Sequence, residues 1–237
     1  MYHFFVEPHQ IGAEEIRIEG ADVNHIRNVL RMKPGEEILI SSREGGDYFC
    51  RVEELEPEYV SAKILEEWEN KELPARIHLF QGLPKGDKME LIIQKAVELG
   101  AYRVVPDRKS VSVVKLDAKK ADAKRKRWNA VSESAAKQSK RSLIPEVAPL
   151  MTYKEAVKEA AGYDMVLLPY ESADGIRKTR ELLASVKPGT DIAVFIGPEG
   201  GFEDEEVELA RENGAEILTL GKRILRTETA LMLQLEV

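Results

Sequence analysis

Residues 192–202 combine an apolar run with a glycine-rich loop, and this pairing of residue types can hold a ligand. Residues 192–196 are all apolar and do not alternate with polar residues, which is typical of a strand buried on both faces. The following loop contains Gly197, Gly200 and Gly201, and four acidic residues, 203–206, then favour the first turn of a helix. Glycine permits positive φ and lets a ligand approach the backbone closely. The stretch therefore predicts backbone binding of a ligand at the carboxyl edge of a sheet.

An ordinary turn between a strand and a helix would show the same local pattern. The loop is not a Walker phosphate loop, because no Lys-Ser/Thr follows it, and it lacks the Gly-x-Gly-x-x-Gly spacing of a dinucleotide site. A second stretch supports a ligand site. Residues 216–220 are typical of another strand, which ends at Gly221 and continues into residues 222–230.

The elements that must position these loops alternate between strand and helix from residue 76 onward, which predicts an α/β domain with a parallel sheet. The apolar pattern predicts strands at 76–82, 102–106, 146–148, 164–168, 192–196 and 216–220. It predicts helices at 87–99, 119–141, 153–161 and 176–186, and another from residue 203.

The first seventy residues have a different pattern, since short strands separated by Gly and Pro turns predict a small β-barrel. One helix interrupts the strands, with Asp22 as its expected N-cap and a buried stripe of Val23, Ile26, Val29 and Leu30. Arg27 and Arg31 are spaced i, i+4, so we expect them on one side of that helix. They form either a solvated basic pair or a phosphate clamp. Residues 68–75 are polar and end in Pro-Ala, which predicts a linker between domains at 1–70 and 75–237.

Composition excludes several classes of protein. No apolar run reaches membrane-spanning length, and residues 1–6 lack the basic region and long apolar core of a secretion signal. The single cysteine, Cys50, has no partner for an internal disulfide, and the four histidines show no metal-ligand spacing. We expect a cytoplasmic protein without a metal or a membrane contact.

Charge is unevenly distributed along the chain. The formal net charge is −7, but residues 1–72 hold 17 acidic and 8 basic residues, while residues 73–237 hold 25 and 27. Nine Lys or Arg residues stand against two acids in the predicted helix 119–141, among them Arg125 and Arg127. Such a helix presents either a solvated face or an electrostatic surface for RNA phosphates, whose affinity would fall steeply with salt.

Two long motifs resemble one known family. The stretches Ile196-Gly-Pro-Glu-Gly-Gly-Phe202 and Leu220-Gly-Lys-Arg-Ile-Leu-Arg-Thr-Glu-Thr-Ala230 are similar to the signature of the RsmE family. Its members are SPOUT-class methyltransferases that modify N3 of a uridine in 16S ribosomal RNA. The resemblance covers nearly the whole chain and implies a PUA-like RNA-binding barrel followed by a SPOUT domain with a C-terminal trefoil knot, contrary to the usual rule against threading.

The resemblance also implies a cofactor, S-adenosylmethionine, gripped in a bent conformation by the knotted loops. Carried over by motif, the cofactor-binding residues are Leu168, Pro169, Tyr170, Glu171, Gly197, Pro198, Glu199, Gly200, Gly201, Leu220, Gly221, Arg223, Ile224 and Leu225. Backbone groups in a dry slot would then do most of the binding.

The implied reaction needs no metal, because the methyl donor is already activated. Uridine N3 carries a proton that must leave, so a general base, or a cation over the developing charge on O2 and O4, would help. The carboxylates near the loops are Glu171, Glu199 and Glu228, and the cation is Arg226. We expect Arg226 to be the electrostatic partner and Glu199 the base or base-orienting residue. Structural capping roles for Glu199 and Glu228 stay open.

Other family-like stretches predict contacts with RNA. Residues 81–90, the turn from Arg108 and the segment 135–141 each resemble a stretch of the family. The expected RNA-binding residues are Arg27, Arg31, Lys88, Arg108, Arg125, Arg127 and Arg141, and the expected partner is 16S ribosomal RNA or the small subunit. A homodimer is expected from the apolar end of the chain, residues 227–237, and from the family. A ribose 2′-O-methyltransferase and a non-catalytic RNA-binding protein remain alternatives.

Overall fold

A computed structural model describes residues 1–43, 45–108, 118–170, 176–221 and 223–230, without the side chains of residues 118, 176 and 178. Contacts divide the chain into two compact units. The first contains residues 1–72 and 136–144, and the second contains residues 73–135 and 145–237. The contacts thus add to the first unit a segment, 136–144, that the sequence pattern places inside the second domain.

The first unit is built on a five-stranded sheet with the order β1-β3-β4-β5-β2. Its first strand runs parallel to the third, and the other neighbouring pairs are antiparallel. One face packs an apolar core that includes Ile16, Ile38 and Val60. The strands are β1 (Tyr2–Val6), β2 (Glu15–Glu19), β3 (Glu37–Ser42), β4 (Asp47–Leu55) and β5 (Tyr59–Trp68). The short strands that the sequence predicts for this region are confirmed.

The helix of this unit differs from the sequence prediction. A short helix, α1 (Ala21–Asn24), passes into a π-helical turn, His25–Val29. Its N-cap is Gly20, at φ +73°, and not Asp22. The Leu30 N–H donates to the carbonyl five residues earlier at 2.9 Å, so the backbone is wider here than in an α-helix.

This wider turn displaces the two arginines from a common helical face. Arg31 lies beyond the last helical residue and has φ +53°, an uncommon backbone conformation for a residue with a side chain. The predicted i, i+4 pairing of Arg27 and Arg31 on one helix is therefore wrong. Val29 is also not part of the buried stripe, since 61% of it is exposed.

A buried polar network attaches the segment 136–144 to the first sheet. The Ser142 hydroxyl donates to one carboxylate oxygen of Asp47, and the Ser41 hydroxyl donates to the other. His3 Nε2 lies 2.8 Å from Ser41 Oγ. Burial lowers the pKa of His3 to about 4, although Asp47 acts in the opposite direction, so the ring is neutral at physiological pH.

The second unit alternates strands and helices as predicted, except that a short unpredicted strand, Met151–Thr152, directly follows the strand Glu146–Val147. Its elements are β6 (Arg76–Gly82), α2 (Lys88–Glu98), β7 (Arg103–Arg108), α3 (Ala118–Ser139), β8 (Glu146–Val147), β9 (Met151–Thr152), α4 (Tyr153–Ala160), β10 (Met165–Pro169), α5 (Ile176–Ala184), β11 (Asp191–Ile196), α6 (Asp204–Glu212) and β12 (Glu216–Leu218). The residues of α3 from Ala136 onward belong to the first unit. Among the helices so described, none is long and apolar enough to span a membrane.

The strands of this unit form a parallel sheet in the order β12-β10-β11-β6-β7-β8, with β9 also paired to β7. Its first strand in sequence, β6, is central. The chain leaves β6 towards β7 on one side and leaves β11 towards the opposite edge. The carboxyl ends of β6 and β11 therefore border the point where the strand order reverses, where parallel sheets bind ligands.

Candidate active site

The loops after β6 and β11 press against each other at this switch point. A Cβ atom added to Gly82 would lie 2.7 Å from the backbone nitrogen of Pro198, closer than real Cβ atoms approach. Glycine at the last residue of β6 is thus needed for the two loops to meet. Beside them opens a cleft of about 590 Å³ within the second unit.

The cleft brings together three segments that are far apart in sequence. Twelve of the fourteen predicted cofactor-binding residues line it: Pro169, Tyr170, Gly197, Pro198, Glu199, Gly200, Gly201, Leu220, Gly221, Arg223, Ile224 and Leu225. Leu168 does not line it, because its side chain is fully buried in the apolar core. Glu171 lies outside the described residues.

The glycines of the loop have different structural requirements. A Cβ atom on Gly197 would lie 3.1 Å from the carbonyl carbon of Gly201, so the loop closes tightly on itself there. Gly201 has φ +64°, and its N–H donates to the Pro198 carbonyl at 2.9 Å. Gly200 has no positive φ and no atom within 4 Å of an added Cβ, so neither strain nor packing requires glycine there.

A chain of side-chain hydrogen bonds holds the loop in place. Gln81 is fully buried, and its amide donates to the Thr227 hydroxyl at 3.0 Å. Thr227 in turn donates to the Gly197 carbonyl at 2.7 Å. One side chain of β6 therefore positions the loop after β11 through a residue 146 positions later in the chain. No periodicity in the sequence indicates this contact.

The predicted base, Glu199, is bound to the loop after β6. Its two carboxylate oxygens accept from the Lys85 N–H at 3.1 and 3.2 Å, and Lys88 Nζ lies 3.5 Å from one of them. Burial raises the pKa of Glu199, but hydrogen bonds from its own N–H and from Lys85, together with Lys88, outweigh that effect and lower it. Glu199 is therefore ionised and weakly basic.

The predicted cation, Arg226, lines the cleft with an exposed side chain, and no described residue forms an ion pair with it. The neighbouring Glu228 also lines the cleft, 3.8 Å from Lys88 Nζ. Arg226 is thus a cation whose charge is available to a ligand. The sequence motif contained both residues, and only the structure shows which of them are already paired.

The predicted RNA-binding residues of the second unit are mostly engaged within it. Arg127 Nε lies 2.6 Å from Glu90, and Arg125 Nη2 lies 3.2 Å from Glu146. Arg108 is half-buried at the end of β7. Of the four predicted RNA-binding residues of this unit, only Lys88 lines the cleft.

The predicted RNA-binding residues of the first unit differ in exposure. Arg31 is exposed and Arg27 is half-buried. Arg141 is only 8% exposed in its side chain, and its guanidinium binds the carboxylate of Glu72 through Nε at 2.9 Å. A guanidinium so buried and paired is positioned to hold segment 136–144 in place.

The cleft fits the cofactor that the motif implies. A Cβ atom on Gly201 or Gly221 would meet no atom within 4 Å, so both backbones border open space, and both have positive φ. Pro169, Ile224 and Leu225 supply an apolar wall. Backbone groups beside an apolar wall can bind an adenine and its ribose without charged side chains.

Sequence models of two families match this chain. One, described as an RNA methyltransferase domain, matches residues 71–237, and another, described as an RNA methyltransferase PUA domain, matches residues 18–65. A Bacillus subtilis protein named ribosomal RNA small subunit methyltransferase E is 38% identical over 97% of this chain and 93% of its own length. This chain belongs to the ribosomal RNA small subunit methyltransferase E family. The resemblance seen in the sequence motifs is confirmed.

Two solved structures share the fold of this chain. A ribosomal RNA small subunit methyltransferase E from Neisseria gonorrhoeae, bound to S-adenosyl methionine, is 32% identical with a TM-score of 0.81, over 99% of this chain and 95% of that one. A putative methyltransferase from Legionella pneumophila, also with bound S-adenosyl methionine, is 30% identical with the same score, over 99% and 95%. The predicted α/β parallel-sheet domain after a PUA-like domain is confirmed.

Proposed function

We propose that this protein transfers a methyl group from S-adenosylmethionine to N3 of a specific uridine in 16S ribosomal RNA of the small subunit. The observation that carries the proposal is the cleft. It lies at the switch point of a parallel sheet and is lined by the two motifs of a family with a solved member bound to S-adenosyl methionine.

Bound S-adenosylmethionine supplies an activated methyl group, so the protein's residues have to bind, orient and exclude water. The backbones of Gly197, Gly201 and Gly221 would hold the cofactor, and Pro169 and Leu225 would cover its apolar surface. Gln81 and Thr227 hold the first of these glycines in place.

The charged residues of the cleft act on the nucleotide. Methylation at N3 passes through negative charge on O2 and O4, and Arg226 offers a cation without a partner among the described residues. Such a cation stabilises charge that develops in the transition state. Glu199 orients Lys88 and fixes the loop after β6, a base-orienting role consistent with its hydrogen bonds.

The first unit and the basic helix bind the RNA. Residues 18–65 match an RNA methyltransferase PUA domain, and Arg27 and Arg31 lie on that unit. The exposed lysines of α3 add phosphate contacts. Arg125 and Arg127 support this surface through their ion pairs, and Arg108 adds a half-buried basic side chain at the end of β7.

Assembly and topology complete the proposal. The working unit is a cytoplasmic homodimer, supported by the apolar residues 230–233 in the sequence. Residues 231–237 lie outside the described part of the chain, and the trefoil knot implied by the motifs stays a prediction there. The reaction requires no metal.

Two measurements test this function. Isothermal calorimetry with S-adenosylmethionine should give binding to a single site per chain, which a non-catalytic RNA-binding protein would lack. Mass spectrometry of digested ribosomal RNA, from cells with and without the protein, should show one 3-methyluridine that depends on it. A 2′-O-methyl nucleotide in its place would instead identify a ribose methyltransferase.

A further inference from the structure

The proposed reaction leaves one proton without an assigned acceptor, and the following inference rests on the proposed function. Uridine N3 is a neutral N–H, and it becomes a good nucleophile only when that proton is removed. Two described carboxylates line the cleft, those of Glu199 and Glu228. The two carboxylates differ in the hydrogen bonds and ion pairs that their oxygens already form.

Glu199 is already engaged. Both of its carboxylate oxygens accept from the Lys85 N–H, and Lys88 Nζ lies 3.5 Å away. These contacts lower its pKa against the effect of burial, so the carboxylate holds protons weakly. Taking a proton would also weaken the hydrogen bonds from the Lys85 N–H that hold the loop after β6. Glu199 suits a positioning role.

Glu228 has an unused acceptor. Its side chain is 17% exposed, and Oε2 is buried with no hydrogen bond to any residue that the structure describes. Lys88 Nζ is 3.8 Å from Oε2, which is an ion-pair distance and too long for a hydrogen bond. A buried acceptor without a donor costs free energy, which is recovered when a donor arrives.

The lysine between the two carboxylates matches this division of roles. Lys88 Nζ lies 3.5 Å from Glu199 and 3.8 Å from Glu228. When Glu228 becomes neutral, the ammonium keeps Glu199 as its counter-ion. The cleft therefore tolerates protonation of Glu228 without leaving Lys88 unpaired.

We propose that Glu228 is the general base that accepts the N3 proton of the target uridine. The N3–H bond breaks and the proton moves to the Glu228 carboxylate. The electron pair left on N3 forms the new bond to the methyl carbon, and the pair of the broken carbon–sulfur bond stays on sulfur. Arg226, two residues away in the chain, faces the charge that spreads to the uracil oxygens.

A structural role for Glu228 is the competing explanation. Glu228 lies in a helical turn, residues 227–230, whose N-cap carbonyl, that of Arg226, accepts from the Ala230 N–H at 2.8 Å. A carboxylate there stabilises a helix start whether or not chemistry occurs. Glu228→Gln removes that charge too, so a loss of activity alone would not separate the two roles.

The experiment makes the substrate more acidic. Small subunits are reconstituted from 16S transcripts made with uridine or with 5-fluorouridine. The fluorine of 5-fluorouridine makes its N3–H more acidic. Single-turnover methyl transfer is measured for the wild type, Glu228→Gln and Glu208→Gln. Glu208 is an exposed carboxylate of α6, paired with Arg211, and serves as a control for loss of a helical charge. Calorimetry gives the cofactor affinity of each.

We expect Glu228→Gln to lower the single-turnover rate on uridine by about 10²- to 10⁴-fold, the usual contribution of a general base. Its cofactor and RNA affinities should stay within about twofold of wild type. On 5-fluorouridine most of the lost rate should return, and on uridine the rate of the variant should rise with pH. Glu208→Gln should resemble the wild type throughout.

Two results would overturn the inference. One is a Glu228→Gln rate on uridine equal to that of the wild type. The other is a lost rate that neither 5-fluorouridine nor high pH restores, which indicates a structural role. A wild-type protein that binds S-adenosylmethionine and methylates no uridine N3 contradicts the proposed function instead, so the two failures are distinguishable.

Discussion

At the scale of single residues, two positions in the second unit have backbone or electrostatic properties that their residue types do not reveal. Gly201 has φ +64° beside the cleft, and the carboxylate of Asp107 is buried at the end of β7. Each of these two properties leads to a prediction that can be measured.

Gly201→Val should abolish binding of S-adenosylmethionine while the protein still folds. Left-handed backbone costs a residue with a Cβ about 1–2 kcal/mol, and the new side chain borders the cleft. The matched control is Gly214→Val, at φ +91° with equal space and outside the cleft. Both variants should lose similar stability in denaturant, and only Gly201→Val should lose affinity in calorimetry. Equal affinities would contradict the assignment of this loop.

Asp107 should make stability pH-dependent. Burial, and next the charge of Glu206, raises its pKa to about 8, and one of its oxygens has no hydrogen-bond partner among the described residues. An acid whose pKa is raised by folding stabilises the protein below its unfolded pKa, about 3.9, and this contribution is lost as pH rises to about 8. The stability of Asp107→Asn relative to wild type should therefore increase from about pH 4 to pH 8.

Chemical denaturation at a series of pH values measures this difference. Its slope should approach, and not exceed, about 1.4 kcal/mol per pH unit, the value for one proton. Asp122→Asn, an exposed carboxylate paired with Lys126 on α3, is the control and should give a nearly flat difference. A flat difference for Asp107→Asn would mean that this carboxylate is ionised in the folded protein at neutral pH.

At the scale of elements, contacts between distant segments set the shape of the cleft. The RNA affinity expected of the basic helix α3 depends on which of its charged side chains are not already in ion pairs. The β6 strand, the loop after β11 and the turn at Thr227 meet through two hydrogen bonds. On α3, Arg125 and Arg127 are ion-paired, whereas Lys120 and Lys124 are exposed.

Thr227→Val should weaken cofactor binding through the position of the loop. The valine has nearly the same shape, but Gly197 loses a donor and the Gln81 amide loses an acceptor. The Gln81 amide keeps the Gly82 carbonyl as an acceptor, so the expected cost is near that of one lost hydrogen bond, about 0.5–1.5 kcal/mol. Thr229→Val, an exposed site in the same turn, is the control. In denaturation and calorimetry, Thr227→Val should show lower stability and weaker cofactor binding than Thr229→Val. Equal values for the two variants would mean that the Thr227 hydroxyl does not hold the loop.

Reversing Lys120 and Lys124 to glutamate should weaken RNA binding without affecting cofactor affinity. Each lost phosphate contact lowers the slope of log affinity against log salt by about 0.7–0.9, so two contacts should lower it by about 1.4–1.8. Arg125→Glu with Arg127→Glu should also lose stability, since it breaks pairs with Glu146 and Glu90. An unchanged salt slope for the lysine variant would mean that this face of α3 is only solvated.

At the scale of the whole molecule, the proposed homodimer would bring RNA-binding and cofactor-binding surfaces of different chains to one site. Ile224, on the rim of the cleft, is 84% exposed. The apolar residues 230–233 follow shortly after in the sequence. Ile224 and this apolar stretch of sequence would together supply an apolar contact for a partner.

Complementation tests this shared site. A Gly201→Val chain lacks cofactor binding, and a chain with Arg27→Glu and Arg31→Glu lacks the RNA contact of its first unit. If each site takes its RNA surface from one chain and its cofactor loop from the other, a mixed dimer has one intact site. Each heterodimer should then have about half of the activity of a normal dimer. Heterodimers that form but stay inactive would show that each site is built within one chain.

The order of strands and helices in the second unit could be read from the sequence. A period near 3.6 marks the buried face of α2, and the unalternating run of β11 marks a strand covered on both sides, because these patterns depend only on neighbours within one element. The glycine loops were predictable for the same reason. A turn or a close approach imposes its residue type locally.

Only the tertiary structure decided which side chains are engaged. Gln81 and Thr227 meet across 146 residues, and Arg141 is buried against Glu72 although the sequence marks it as one more surface cation. The π-helical turn at residues 25–29 likewise moved Arg31 out of the helix that its spacing predicts. Burial and ion pairing depend on what packs against a residue from distant parts of the chain. The pattern of residues along the sequence therefore does not predict that packing.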